Sequence, residues 1–180
     1  MKSFFRALTL LLGFAVAVPA HAISNDNWDS ISTYTELTLL GVALAAPIVQ
    51  DDWEGEGQAA LSIGTAIGIA TLGKALIHAR RPDNSDNNSF PSGHTSIAFA
   101  SATTLHRRYG WQVGFPAYAV AALTGTARVA ARKHHWYDVV AGAAIGTGAG
   151  WFFTDAFNDK VQVTPWADST GGGVLVAMRW

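Results

Sequence analysis

The chain of 180 residues contains no cysteine. That absence excludes disulfides, thiolate zinc sites and cysteine nucleophiles. Charge is scarce as well, at 14% of residues with a formal net charge of −1. Nucleic acid is therefore not an expected partner, because backbone binding needs a broad excess of Lys and Arg. No long apolar stretch shows a strict period of two, which argues against a sheet as the main scaffold. Linker composition is missing too, since the 18 glycines lie largely inside apolar segments.

What is present begins with a leader pattern. Lys2 and Arg6 open it, Leu8 to Val18 is apolar, and Ala20-His21-Ala22 supplies the small-x-small signature of signal peptidase. Residues 1–22 are expected to be a signal peptide cut after Ala22, with an uncleaved anchor as the alternative. Removing Lys2 and Arg6 from the 12 basic residues leaves 10 against 13 acidic ones, a net charge near −3. Six of those 10 are Lys74, Arg80, Arg81, Arg128, Arg132 and Lys133, in two short segments. Cations concentrated on a nearly neutral chain point to a local anion site.

Five mostly apolar stretches follow: Leu37–Gln50, Gly57–Gly73, Thr95–His106, Tyr109–Ala127 and Val139–Thr154. Their Ala and Leu content predicts helices. The expected fold is all-α, a bundle of about five apolar helices over residues 23–158, membrane-embedded, with a small hairpin-like tail at 159–180. Only the second and fourth stretches reach the roughly 17–25 residues of a spanning helix, and the mean hydropathy is +0.19. Gly142, Gly146 and Gly150 repeat every fourth residue, as do Gly64 and Gly68, and such faces let helices approach closely. With the mature N-terminus outside, five spans put 74–94 and 128–138 on the outer side and Arg107 and Arg108 inside. That places the protein in the inner membrane of a bacterial cell envelope, its site facing the periplasm. A soluble periplasmic bundle is the alternative.

Three segments carry chemistry. In the first, Lys74 and Arg81 stand seven apart, two helical turns, and Pro82 turns the chain. In the second, Pro91-Ser92-Gly93-His94 precedes an apolar stretch, so its backbone N–H groups are expected at a helix start, where anions bind. Taken alone, Ser92 reads first as the cap of that helix. A Ser92 nucleophile with His94 as base is less favoured, because the Gly-x-Ser-x-Gly elbow is missing. In the third, Arg128 precedes His134 by six residues, and Asp138 follows His134 by four, the spacing of neighbours on one helical face. Each segment alone also reads as an ordinary basic helix end, a cap or an i,i+4 pair.

Together they resemble the type 2 phosphatidic acid phosphatase superfamily, which includes bacterial acid phosphatases and vanadium haloperoxidases. Its pattern is Lys-x6-Arg-Pro, Pro-Ser-Gly-His and Ser-Arg-x5-His-x3-Asp. Lys74, Arg81 and Pro82 match the first part. Pro91, Ser92, Gly93 and His94 match the second, and Arg128, His134 and Asp138 the third. The match runs from Lys74 to Asp138. The family's serine before the third-motif arginine is Ala127 here, a departure that removes one hydroxyl near the phosphate. His135 adjoins the expected nucleophile, but the spacings from Arg128 and to Asp138 select His134.

The resemblance implies a metal-independent phosphatase working through a phosphohistidine, with no cofactor. His134 is the implied nucleophile, Asp138 its orienting carboxylate, and His94 the general acid and base. Lys74, Arg81, Arg128, Ser92 and the Gly93 N–H are the implied phosphate cradle. The implied substrate is a lipid phosphate such as phosphatidic acid, phosphatidylglycerol phosphate or undecaprenyl diphosphate. A small phosphomonoester is the alternative, and a haloperoxidase or a non-catalytic membrane protein are further ones.

Overall fold

The computed structural model describes residues 23–155, 161–168 and 171–178. The expected signal peptide and the boundary between 158 and 159 lie outside the described residues. Among them are five helices: α1 (Asn25–Val49), α2 (Trp53–Leu76), α3 (Gly93–Tyr109), α4 (Trp111–Ala130) and α5 (Trp136–Phe153). Two strands follow, β1 (Val161–Asp168) and β2 (Gly171–Met178). They pair antiparallel from Val161 opposite Met178 to Asp168 opposite Gly171, the hairpin expected of the tail.

Local chemistry sets the helix starts. Ser24 Oγ accepts from the Asn27 N–H at 3.2 Å, and Asp52 Oδ1 from the Gly55 N–H at 3.0 Å. Gly110, at φ 84°, both ends α3 and opens α4, a backbone conformation that glycine takes without strain. The first apolar stretch belongs to a helix that begins 12 residues earlier, at Asn25, because Ser24 caps a polar first half. That half carries Asp29, Ser32 and Glu36.

Two expectations about the motifs are corrected. Lys74 and Arg81 do not share a helix: α2 stops at Leu76, and Arg81 lies in the loop between α2 and α3. The chain leaves the helix at Ile77, in an extended conformation, well before Pro82. His134 and Asp138 do not share a helical face either. His135 is the N-cap of α5, so His134 precedes the helix and Asp138 is in its first turn.

Helix α3 is the centre, packed against all four other helices. The glycine face of α5 allows its approach. A Cβ on Gly142 would lie 2.6 Å from Ser92 O, and one on Gly150 2.6 Å from Thr103 Cβ. One on Gly146 would collide with the Ser96 carbonyl. Gly64 and Gly68 behave differently. Nothing lies within 4 Å of a Cβ on either, because α2 turns its Ala59, Ser62, Ile63 and Ala66 side inward instead.

The interior is small and partly polar. Its buried residues are mainly alanines, with Leu39, Leu105, Val113 and Val120, and buried hydroxyls of Ser32, Thr35, Ser62, Ser96 and Thr124. Those hydroxyls are satisfied locally or across helices: Thr124 Oγ1 lies 3.0 Å from Val120 O and 2.8 Å from Thr35 Oγ1. The outside carries the large apolar side chains, including Leu61, Ile67, Ile69, Leu72, Phe115 and Val140. Exposed Trp53, Trp111 and Trp151 mark one end of the bundle, and Trp136 and Tyr137 the other. Helices α1 and α2 are long and apolar enough to cross a membrane, by length and composition.

At the end away from the motifs, Arg108 forks onto Asp52, Nε to Oδ2 at 2.7 Å and Nη2 to Oδ1 at 2.5 Å, with both side chains buried. Its charge is neutralised within the bundle. Arg107 instead lies over the Trp151 ring, 4.3 Å from its centroid.

Candidate active site

The motif residues gather at one end, where α2 finishes and α3 and α5 begin. Ser92 is the N-cap of α3, as expected of the second segment. Its Oγ lies 2.9 Å from Thr95 Oγ1 and accepts from the Thr95 N–H at 3.4 Å, while its N–H donates to Asp138 O at 3.0 Å. The starts of α3 and α5 are thereby pinned together. Lys74 crosses to the same place, its Nζ donating to Asn88 O at 3.0 Å and to Pro91 O at 2.5 Å. A Cβ on Gly93 would lie 3.8 Å from Lys74 Cε.

Arg81 reaches the site from the loop. Its Nε donates to Asp86 Oδ1 at 2.6 Å, and Nη1 to Lys133 O at 3.4 Å. Arg128, at the end of α4, is buried; its Nη1 pairs with Asp29 of α1 and meets Ser32 Oγ at 3.2 Å. Its Nε is buried with no hydrogen-bond partner. A buried guanidinium N–H without an acceptor is costly, and an anion in the site would supply one.

His134 is 2% exposed. Its Nδ1 lies 2.6 Å from Ser89 O. A carbonyl only accepts, so Nδ1 carries the hydrogen and Nε2 keeps its lone pair. Asp138 Oδ2 is 3.6 Å from His134 Nδ1, beyond hydrogen-bond length. The carboxylate works one step removed: Oδ2 accepts from Ser89 Oγ at 2.5 Å and from the His135 N–H at 2.8 Å. The ring is thus aligned by the Ser89 carbonyl, and Ser89 is held by Asp138.

Burial holds the His134 ring below the usual histidine range, with the fields of Arg128, Lys74 and Arg81 acting the same way; the bond to Ser89 opposes them. All three motif cations therefore bear on one imidazole and disfavour its charged form. His135 is less enclosed and stacks on Tyr137, ring centroids 4.9 Å apart. His94, on the first turn of α3, places Nε2 3.3 Å from Glu36 Oε2. Among the described residues, no group of three or more His, Asp or Glu is arranged to hold a metal ion.

Sequence reasoning missed Ser89, Asp29, Ser32 and Glu36. The last three recur at helical spacing ahead of an apolar run, a pattern that hints at a longer helix but names no site partner. Ser89 left no local signal, because its role depends on how the loop before α3 folds back. Ala127 is fully buried. A hydroxyl does reach the neighbouring guanidinium from α1, where Ser32 Oγ accepts from Arg128 Nη1 at 3.2 Å.

Comparison with known proteins bears on the family and the fold. The model of the PAP2 superfamily matches residues 56–162. The lipid A 4'-phosphatase of Helicobacter pylori is 38% identical over 122 residues, 61% of this chain and 61% of that protein. The lipid A 1-phosphatase of Porphyromonas gingivalis is 40% identical over 95 residues, 51% of this chain but 21% of that protein. The chain thus spans less than two thirds of the length of either. In three dimensions it resembles LpxE of Aquifex aeolicus, with a TM-score of 0.63 at 21% identity, covering 84% of this chain and 92% of that one. It also resembles the transmembrane PAP2-type phosphatidylglycerolphosphate phosphatase of Bacillus subtilis, with a TM-score of 0.59 at 22% identity and 85% of both chains covered. These likenesses show a shared fold. With three motif segments converging on one buried imidazole and a family model covering more than half its length, the chain belongs to the PAP2 superfamily.

Proposed function

We propose that the chain is a metal-independent phosphatase that hydrolyses lipid-linked phosphate esters at a membrane surface, through a phosphohistidine on His134. The observation that carries this reading is the buried His134, tied through Nδ1 to Ser89 O and lying in the fields of Arg128, Lys74 and Arg81. A nucleophile with a free lone pair and fixed cations for the transferring phosphoryl group are what the reaction needs.

In the first step His134 Nε2 bonds to phosphorus while the bond to the ester oxygen breaks, and that oxygen takes a proton from His94. In the second step water bonds to phosphorus, the P–N bond breaks, and His94 receives the water's proton. Lys74, Arg81, Arg128, the Ser92 hydroxyl and the Gly93 N–H hold the phosphoryl oxygens. No step draws on a metal or other cofactor.

A lipid substrate is supported by the inverted surface, with small residues inside and large apolar ones outside, and by the aromatic residues at both ends. It is supported as well by relatives named as lipid A phosphatases. Phosphatidic acid, phosphatidylglycerol phosphate, undecaprenyl diphosphate and the phosphates of lipid A share the required chemistry. We place the site on the periplasmic side of the inner membrane, following a cleaved leader at residues 1–22, with 23–158 as the catalytic domain.

The test is phosphate release from these lipids in detergent with excess chelator, comparing wild type with His134→Ala. Release that survives the chelator and vanishes in the variant is expected, as is an acid-labile phosphoprotein trapped only in wild type. Hydrolysis confined to a small aryl phosphate would move the reading to a soluble acid phosphatase. A His134→Ala variant as active as wild type would end it.

A further inference from the structure

One buried acid at the site has no part in the chemistry above. Glu36 lies in the first half of α1, outside all three motif segments, and is 7% exposed. Its Oε2 stands 3.3 Å from Nε2 of His94. The charged groups bearing on His94 are Arg128 from α4, Asp29 from α1, Arg81 from the loop and Lys74 from α2. Arg128 also bears on Glu36.

This neighbourhood sets a problem for a general acid. An acid at the leaving group must hold a proton until the ester bond breaks, and an imidazolium beside three cations is electrostatically opposed. Asp29 is the other nearby carboxylate, and it is engaged by Arg128. Glu36 is within reach of the imidazole itself.

We infer that Glu36 is a positioning residue for the leaving-group acid, accepting the Nε2–H of His94 so that Nδ1 carries the proton delivered to the ester oxygen. The inference rests on the reading of His94 as that acid. As the P–O bond breaks, its electron pair goes to the ester oxygen, which takes the proton from Nδ1. His94 is left neutral and still donates through Nε2 to the Glu36 carboxylate. In the second step Nδ1 takes a proton from water, and the pair returns to its starting state. Glu36 never touches the phosphate; it sets the ring's orientation and favours its charged form.

The experiment uses the full chain in detergent, with Glu36→Gln, Glu36→Asp and His94→Ala. Each is assayed on phosphatidic acid, whose alkoxide is a poor leaving group, and on 4-nitrophenyl phosphate, whose leaving group needs little acid help. Thermal unfolding checks that each variant is folded. Glu36→Gln is expected to lower kcat on phosphatidic acid about 100-fold, within the range for loss of acid catalysis, and less than about tenfold on the aryl ester. The alkaline limb of its pH profile should move to lower pH, because the acid loses its proton more readily without the carboxylate. Glu36→Asp should recover part of the loss.

An equal loss on both substrates with an unmoved alkaline limb would overturn the inference and leave Glu36 a packing residue. If His94→Ala is sensitive to the leaving group and Glu36→Gln is not, the inference alone falls. If His94→Ala is itself indifferent to the leaving group, the acid role falls and takes the inference with it.

Discussion

At the scale of residues, the imidazole proposed as the nucleophile is aligned by a serine that no motif names. Ser89→Ala removes the hydroxyl that donates to Asp138 while leaving the carbonyl that aligns His134. A buried hydrogen bond to a charged acceptor contributes about 1.5–3 kcal/mol. The variant is expected to lose stability in that range, and kcat about tenfold if a comparable fraction is lost from the transition state. Differential scanning calorimetry and single-turnover rates would separate the two. The pH dependence follows from the depressed titration of His134. Attack needs the neutral ring, and lowering its pKa keeps that form present in more acid solution. Once the substrate's own ionisation near pH ~6 is allowed for, kcat/KM should stay level as pH falls through the ordinary histidine value of 6.5 and drop only below it. Arg81→Gln removes one depressing charge, so its acid limb should rise. Ser32→Ala is expected to raise KM about three- to tenfold, the effect of about one hydrogen bond. Ala127→Ser should leave KM unchanged while Ser32 is present. The motif residues were legible because their order and spacing are rigid. Their partners were not, because Ser89, Asp29 and Glu36 act through contacts far apart in sequence.

At the scale of elements, the glycine repeats separate a packing face from a bare one. Gly146→Leu drives a side chain into the α3 backbone, and overpacking costs about 1–3 kcal/mol or more. Gly68→Leu meets open space. Thermal unfolding in detergent should show a marked loss for the first and little change for the second; equal effects would mean that α3 and α5 are not in close contact. The sequence pattern alone made the two repeats look alike, since spacing says nothing about which side a neighbour occupies. The five helices were legible from apolar runs. The first half of α1 was not, because Asp26, Asp29 and Glu36 interrupt the apolar character on which that reading relied. The shared helix expected for Lys74 and Arg81 failed for a related reason. A periodic spacing is compatible with a helix but does not prevent the chain from leaving it at Ile77.

At the scale of the whole molecule, the distribution of side-chain size is the reverse of a water-soluble bundle. Alanine, serine and threonine fill the centre, and leucine, isoleucine and phenylalanine face outward. Lipid is the solvent that such a surface fits. The protein is expected to sediment with membranes, to resist alkaline carbonate extraction and to need detergent for solution. Recovery in a detergent-free supernatant would contradict that. Mean hydropathy understated this property, because it averages over the polar loops and the hydroxyl-bearing interior. The asymmetry between inside and outside became visible only once the helices were packed.

Each motif cation already has a partner: Lys74 holds the Asn88 and Pro91 carbonyls, Arg81 holds Asp86, and Arg128 holds Asp29. An arriving phosphate would therefore share each cation with a group built into the chain, the unpartnered Nε of Arg128 being a donor still open to it. The same groups stand ready when orthophosphate forms, and they favour its departure. Product inhibition should accordingly be weak, with orthophosphate binding more loosely than three converging cations alone would suggest. Replacing Asp29 with asparagine should tighten it and slow turnover at high product.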